Sequence, residues 1–375
     1  MKILIVSFGY PDNKRSSYPF VRQLALQFSS LGHDCCVLAP YNVIGNKGTH
    51  PFRTNDNGVT LLRPNYIGMS NLDLFGFKPT IMLRKIALKR ALRHLPFRPD
   101  VVYAHFWKTG KEIFFYAKSE GLPLFVATGE SVIDAKAFNT KDQSFFNYVR
   151  GVICVSYKNK EESISLGLST GENCVVLPNG INPELFHPLD HLTCRRELNL
   201  PEDAFIVAFC GQFSHRKGVK ILSEAINSIS ENKPVHVLFI GSPKGELPTC
   251  RNILHCGPVA HDKVSSYLNA ADIFVLPTLH EGCCNAIVEA MACGLPIVSS
   301  DRSFNHDILS ADNAILIDPT DSRQIADAII RLRDDKELRC RLSKGALDTA
   351  KKLTIAERAS SIVDFIKKRM QYNKL

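Results

Sequence analysis

No stretch of this chain approaches the roughly 18 consecutive apolar residues that would span a bilayer. The first apolar run, Ile3 to Val6, is also too short for the core of a secretory signal. These two absences lead us to expect a soluble, cytoplasmic protein. Cysteine pairs of the C-x-x-C kind are missing as well. The twelve cysteines are scattered, and several sit inside apolar runs such as Ala208-Phe209-Cys210, where they read as small buried hydrophobes. A dinucleotide site wants G-x-G-x-x-G in its first strand-to-helix turn, with an acidic residue about 20 positions on. Here that turn offers only Gly9 before Tyr10-Pro11, which excludes it. There is no Walker lysine motif, no convincing D-x-D pair to carry a magnesium-bound diphosphate, and no zinc-finger, helix-turn-helix or RNA-platform signature. We therefore expect neither a metal nor a nucleic-acid partner.

What is present is a chain of 375 residues, 45% hydrophobic and 22% charged, long enough for two cores. Its formal charge is +9. Most of the excess lies in the first half, where Arg84, Lys85, Lys89, Arg90, Arg93, His94 and Arg98 share a helix-like segment with Ile81, Met82, Ile86, Leu88 and Leu92. Such a face is either a solvated helix surface or a rest for anionic lipid headgroups.

Short apolar runs alternate with helical periodicity along the whole chain. Strands are expected at Lys2–Ser7, Cys35–Ala39, Val101–Ala104, Leu124–Ala127, Val152–Val155 and Val175–Leu177. A polar stretch follows through Asn182-Pro183 and His187-Pro188, and the alternation resumes at Phe205–Cys210, Val235–Ile240, Ile253–Cys256, Ile273–Leu276, Ile297–Ser299 and Ala314–Ile317. The reading is α/β: two Rossmann-like, doubly wound parallel-sheet domains in series, residues 1–184 and 185–359. A ligand cleft is expected at the carboxyl ends of the strands.

The segment from Glu281 to Glu289, EGCCNAIVE, follows an apolar strand. A helix starting near Cys284 would stop at Gly294, with Pro296 just beyond. The amides of Cys283, Cys284 and Asn285, beside Gly282, would then face the strand end, ready for phosphate or sugar oxygens. The two glutamates are eight residues apart, so their backbones stand at most about 12 Å apart along a helix. That spacing suits different ends of one ligand better than a glycosidase pair flanking a single bond at roughly 5–9.5 Å. Exposed surface glutamates are the ordinary alternative.

A second turn, Cys210-Gly211-Gln212-Phe213-Ser214-His215-Arg216-Lys217-Gly218, also runs from strand to helix. Arg216 and Lys217 are cations at a helix start, where the dipole disfavours them, so a diphosphate is the more natural reason for their presence. The strand Val101–Ala104 ends at His105, on the rim of the first sheet, where structural and functional readings balance. A soft-metal site from His280, Cys283, Cys284 and Cys293 lacks the usual ligand spacing.

At these residues the chain resembles the retaining glycosyltransferase family four, of GT-B architecture. The marks are E-x₇-E with the following AMACGLPIVSSD, GQFSHRKG, VICVSYKNKEESISLGL, VVLPNGINPELFHP and DVVYAHFW, in the family's order and over nearly the whole length. The resemblance implies that Glu281 faces the donor sugar, Glu289 the nucleotide ribose and Lys217 the diphosphate. It also implies that His105 lies on the acceptor side, that Gly9 approaches the phosphates, and that a C-terminal helix, residues 360–375, packs back on the first domain. The expected reaction is retaining, metal-independent transfer of a sugar from a nucleotide-sugar donor, such as a UDP- or GDP-sugar, to a glycan or lipid-linked acceptor in cell-surface polysaccharide or glycolipid synthesis. No cofactor is implied, and peripheral contact with an anionic inner membrane face fits the basic helix. A nucleotide-sugar epimerase or a non-catalytic binding protein is the alternative on the same fold. The chain departs from the family pattern at Gln212, where an arginine is usual and Arg216 would supply the charge. It departs again at Cys283-Cys284 in place of Phe-Gly, at Asn182 and at Thr128.

Overall fold

The computed structural model describes residues 1–12, 18–46, 48–68, 79–138 and 142–371. It contains two compact units. The first takes Met1–Val155, Asn159–Leu177 and the chain from Ala359, and the second takes Ser156–Lys158 and Pro178–Arg358.

The first unit is built on strands β1 (Lys2–Val6), β2 (Asp34–Leu38), β3 (Tyr41–Asn42), β4 (Arg53–Asp56), β5 (Val59–Leu62), β6 (Asn65–Tyr66), β7 (Val101–His105), β8 (Leu124–Thr128), β9 (Val149–Cys154) and β10 (Cys174–Val176). The main sheet runs β10-β9-β8-β7-β1-β2-β5-β4, and β3 pairs with β6 separately. Its central strands are buried almost throughout, β7 and β8 at every residue, which is why they read as unbroken apolar runs. Only β4 is antiparallel, joined to β5 through Asn57-Gly58, both at positive φ as a two-residue hairpin demands. The order reverses after β1, so the ends of β1 and β7 flank a topological switch point. Gly9 and His105 follow or close those two strands. From Ala359 on, the C-terminal helix Ile355–Gln371 packs in this unit: Phe365 meets Phe125 edge-on at 6.1 Å, and a Cβ on Gly151 would lie 2.7 Å from the Phe365 ring.

The second unit holds β11 (Phe205–Cys210), β12 (Val235–Ile240), β13 (Ile253–Gly257), β14 (Ile273–Leu276), β15 (Ile297–Ser300) and β16 (Ala314–Ile317), in the order β13-β12-β11-β14-β15-β16, all parallel. Here too the order reverses beside the first strand, between β11 and β14, so the turns after these two strands are neighbours.

The basic segment differs in detail from the reading above. Its helix spans Pro79–Ala91, with a short 3₁₀ turn through His94. Arg84 does not join the exposed face: it turns inward to form a two-pronged pair with Glu112 and lies 4.1 Å from the Phe8 ring. Lys85, Lys89, Arg90, Arg93, His94 and Arg98 are exposed, as are Met82 and Ile86. The reason lies in Glu112, a carboxylate on the neighbouring helix that is itself buried and therefore demands a cation. Among the described residues no helix is long and apolar enough to cross a membrane.

Candidate functional site

In the second unit, the turn after β11 and the loop after β14 are stitched together. Leu279 N–H and the Thr278 hydroxyl both donate to the Arg216 carbonyl, at 2.8 and 3.1 Å. The turn depends on Gly218, whose φ is +75° and whose hypothetical Cβ would sit 2.3 Å from the Pro277 carbonyl oxygen. No side chain fits there, so glycine lets the two loops touch.

This contact brings the predicted residues together. Arg216 Nη1 and Lys217 Nζ each lie 2.6 Å from the same oxygen, Glu281 Oε1, and the Thr278 hydroxyl, whose one proton is shared between this oxygen and the Arg216 carbonyl, lies 3.0 Å from it. Arg216 also donates to the His280 carbonyl, at 2.7 Å. Lys217 and Glu281 are buried. Burial by itself would push the Glu281 carboxyl up, but Lys217 and Arg216 outweigh it and hold it below the usual range. Burial would lower Lys217, yet Cys284 and Glu281 facing it leave the net shift upward. Both groups are thus held charged, and Glu281 is an ionised carboxylate rather than a proton donor.

The helix expected after Cys284 runs Asn285–Ala292, with Cys284 at its N-cap and Gly294, at φ +81°, beyond its end. Lys217 Nζ donates to Cys284 Sγ at 3.6 Å. Burial pushes the Cys284 thiol up, against the pull of Lys217. Cys283 lies beside Gly282 in the buried loop, its carbonyl accepting from Asn179 Nδ2 at 3.0 Å; the same amide donates to Asn285 Oδ1 at 2.7 Å. Glu289, in the second turn of the helix, does not join the Glu281 cluster. It pairs with His261 at 3.7 Å and raises the His261 pKa. Gln212 is exposed on the turn. Among the described residues no group of three or more His, Cys, Asp or Glu side chains is arranged to hold a metal.

The remaining predicted residues belong to the first unit. Gly9 is buried after β1, and its amide and carbonyl both contact the Ser7 hydroxyl, at 3.3 and 2.8 Å. His105 closes β7, buried, with its ring 5.1 Å from Phe20 and 5.0 Å from Phe106. At the end of the adjacent β8, Glu130 accepts from Thr128 Oγ1 at 2.6 Å, from the Gly129 amide at 2.9 Å and from the Trp107 amide at 3.1 Å.

Four residues escaped the sequence reading: Thr278, Asn179, His261 and Glu130. Three of them had a signal in their position. Thr278 and Glu130 are polar residues just past buried strands, and Asn179 lies in a Pro-Asn-Gly turn just past the strand Cys174–Val176. His261 carried no local mark, since Glu289 lies on a different element.

Comparison with known proteins agrees with this architecture. Residues 20–185 match the family described as Glycosyltransferase Family 4, and residues 204–335 match the family described as Glycosyl transferases group 1. A Bacillus subtilis protein named as a putative teichuronic acid biosynthesis glycosyltransferase, TuaC, is 26% identical over 90% of each chain. A Campylobacter jejuni protein named as an N,N'-diacetylbacillosaminyl-diphospho-undecaprenol alpha-1,3-N-acetylgalactosaminyltransferase is 28% identical over 55% of this chain and 57% of its own. Among solved structures, Anabaena HepE in complex with UDP-glucose superposes with a TM-score of 0.74 at 17% identity, over 98% of this chain and 100% of that one, a likeness of GT-B fold.

Proposed function

Because this chain belongs to glycosyltransferase family 4 and is a glycosyltransferase of polysaccharide synthesis, we propose that it moves a hexosyl group from a uridine diphosphate sugar to a lipid-linked glycan, with retention of configuration and without a metal ion. The observation that carries this reading is the convergence of Arg216, Lys217 and Thr278 on one oxygen of Glu281 beside a helix start.

As the bond from the sugar to the diphosphate breaks, negative charge grows on the leaving phosphate. Lys217 supplies a compact buried ammonium and Arg216 a planar fork, and the first amides of helix Asn285–Ala292 add dipoles. Glu281 keeps these cations in place before the donor arrives and is displaced from them in part when phosphate oxygens compete. Held ionised, it serves to bind and orient the sugar hydroxyls. Retention fits a path in which the leaving phosphate accepts the proton of the acceptor hydroxyl. His105 acts on the acceptor side and Glu289 binds the ribose.

The uridine donor is favoured by the UDP-glucose bound to the structural neighbour HepE, and the lipid-linked acceptor by the name of the Campylobacter relative. The first unit supports the same acceptor class. Phe52, Ile67, Leu83 and Ile86 line a groove of about 590 Å³ with Arg90 and His94 among its walls, and Lys85, Lys89 and Arg93 are exposed along the same helical segment. Apolar and cationic groups presented together suit an anionic bilayer surface.

The test is incubation with a panel of UDP- and GDP-sugars, with and without a bacterial membrane lipid extract and with excess EDTA. Nucleotide release that requires the extract, survives EDTA and gives a product of unchanged anomeric configuration is the expected result. Isomerised donor, or release indifferent to the extract, overturns the proposal.

A further inference from the structure

Five residues other than glycine have positive φ among the described residues, and three are asparagines, which tolerate it. Phe106 is different. With φ 77° and ψ 151° it occupies a region open to glycine and costly for any residue with a Cβ. It separates His105, the last residue of β7, from Trp107, the first residue of helix Trp107–Ser119.

Such a conformation persists only where the surroundings over-determine it. The Phe106 amide donates to the Ala127 carbonyl at 2.7 Å, fixing the near side to β8. On the far side the Trp107 amide donates to Glu130 Oε1, while Glu130 Oε2 accepts from the Thr128 hydroxyl and the Gly129 amide. The Glu130 carbonyl in turn accepts from Asn159 Nδ2 at 2.9 Å, and Asn159 is fully buried. One carboxylate thus bridges the end of β8 and the start of the helix, with the strained residue and His105 between them. The Phe106 ring packs edge-on against both His105 and Tyr18.

We propose that Glu130 is a positioning residue: it clamps the backbone on the far side of Phe106, holds that residue in its strained conformation, and thereby fixes the His105 ring at the sheet edge. The proposal rests on the reading above only in giving His105 a part in sugar transfer. Gln at position 130 keeps one acceptor for the Trp107 amide but puts an NH₂ where Thr128 and Gly129 need an acceptor, so the clamp is half undone without loss of volume.

The experiment uses the full chain with ¹³C-labelled histidine, the His105 ring signal being assigned by its loss in H105A. In E130Q the His105 signal shifts or broadens while the other histidine signals stay, thermal unfolding remains near wild type and UDP binding is unchanged. Transfer from a UDP-sugar to the lipid extract falls about tenfold or more, since ångström-scale misplacement suffices for that. T128V, which removes one donor to the carboxylate, moves the same signal and serves if the Glu130 variants fold poorly. An unmoved His105 signal in both E130Q and T128V overturns the proposal, as does a loss of transfer that only tracks loss of folded protein. If instead H105A transfers sugar as well as wild type, the assignment of His105 to transfer fails, while the ring signals still decide whether Glu130 positions it.

Discussion

Glu281 and Lys217 make an ion pair whose two halves should rank in opposite order for stability and for UDP binding when each is mutated. In E281Q, Lys217 stays buried beside Arg216 with its counter-charge gone, the situation that usually costs about 3–5 kcal/mol. In K217M, Glu281 keeps Arg216 and Thr278 on the same oxygen, and the methionine fills the lysine's path, so the cost is about 1 kcal/mol. UDP reverses the ranking. Its diphosphate meets two uncompensated cations in E281Q and binds at least as tightly as to wild type. In K217M it loses a charge-assisted contact worth about 1.5–3 kcal/mol, or about ten- to a hundredfold in affinity. Urea unfolding with and without UDP, together with calorimetric titration, reads both effects, and saturating UDP should restore stability most in E281Q. Transfer falls in both. The pH dependence follows from the same pair. The Glu281 pKa is depressed from an ordinary value of 4.5, so its stabilisation is present above that value and is lost as pH falls through the lowered one. E281Q should flatten this acid limb. Equal weakening of UDP binding in the two variants, or a K217M less stable than E281Q, would refute the reasoning.

Gly218→Ala places a Cβ against the Pro277 carbonyl at a φ alanine resists; a loss of at least about 2 kcal/mol and of UDP binding is expected in urea titrations, and wild-type behaviour would contradict the packing described. His261 should titrate above 6.5 by NMR because Glu289 favours its protonated form, and E289Q should bring the midpoint down, since burial is then opposed only by the charge of Asp262. With the folded value raised, the stabilisation by this pair is complete below 6.5 and disappears as pH rises through the higher midpoint. Charge reversal at Lys85, Lys89 and Arg93 together should cut sedimentation with phosphatidylglycerol vesicles by about a hundredfold or more, at roughly 1 kcal/mol per cation, while UDP affinity holds. Equal binding of wild type to phosphatidylcholine vesicles would remove the electrostatic argument.

Much of the fold was legible because parallel strands covered on both faces must be apolar at nearly every position. Every strand expected from an apolar run appears, from Lys2–Val6 to Ala314–Ile317, with ends shifted by at most a few residues. The strand Arg53–Asp56 was not foreseen, since it is an edge strand of polar residues with alternating exposure, and its only advertisement was Asn57-Gly58. Helix Pro79–Ala91 was foreseen but its faces were not: composition shows Arg84 as one cation in a run, and only Glu112, 28 residues away, turns it inward.

The candidate site divides along the same line. Local chemistry determined that strands end at Cys210, Leu276 and His105 and that a helix must start after Cys284, because these depend on neighbours within a few residues. Tertiary structure alone decided that Arg216 and Lys217 share one oxygen of Glu281, some 65 positions on, and that Asn179 reaches across 104 positions to Cys283. It also decided that Glu130 stands behind His105. Hydrogen bonds and ion pairs act over about 3 Å of space whatever the separation along the chain, so which polar groups meet is settled only when the strand order places their turns side by side.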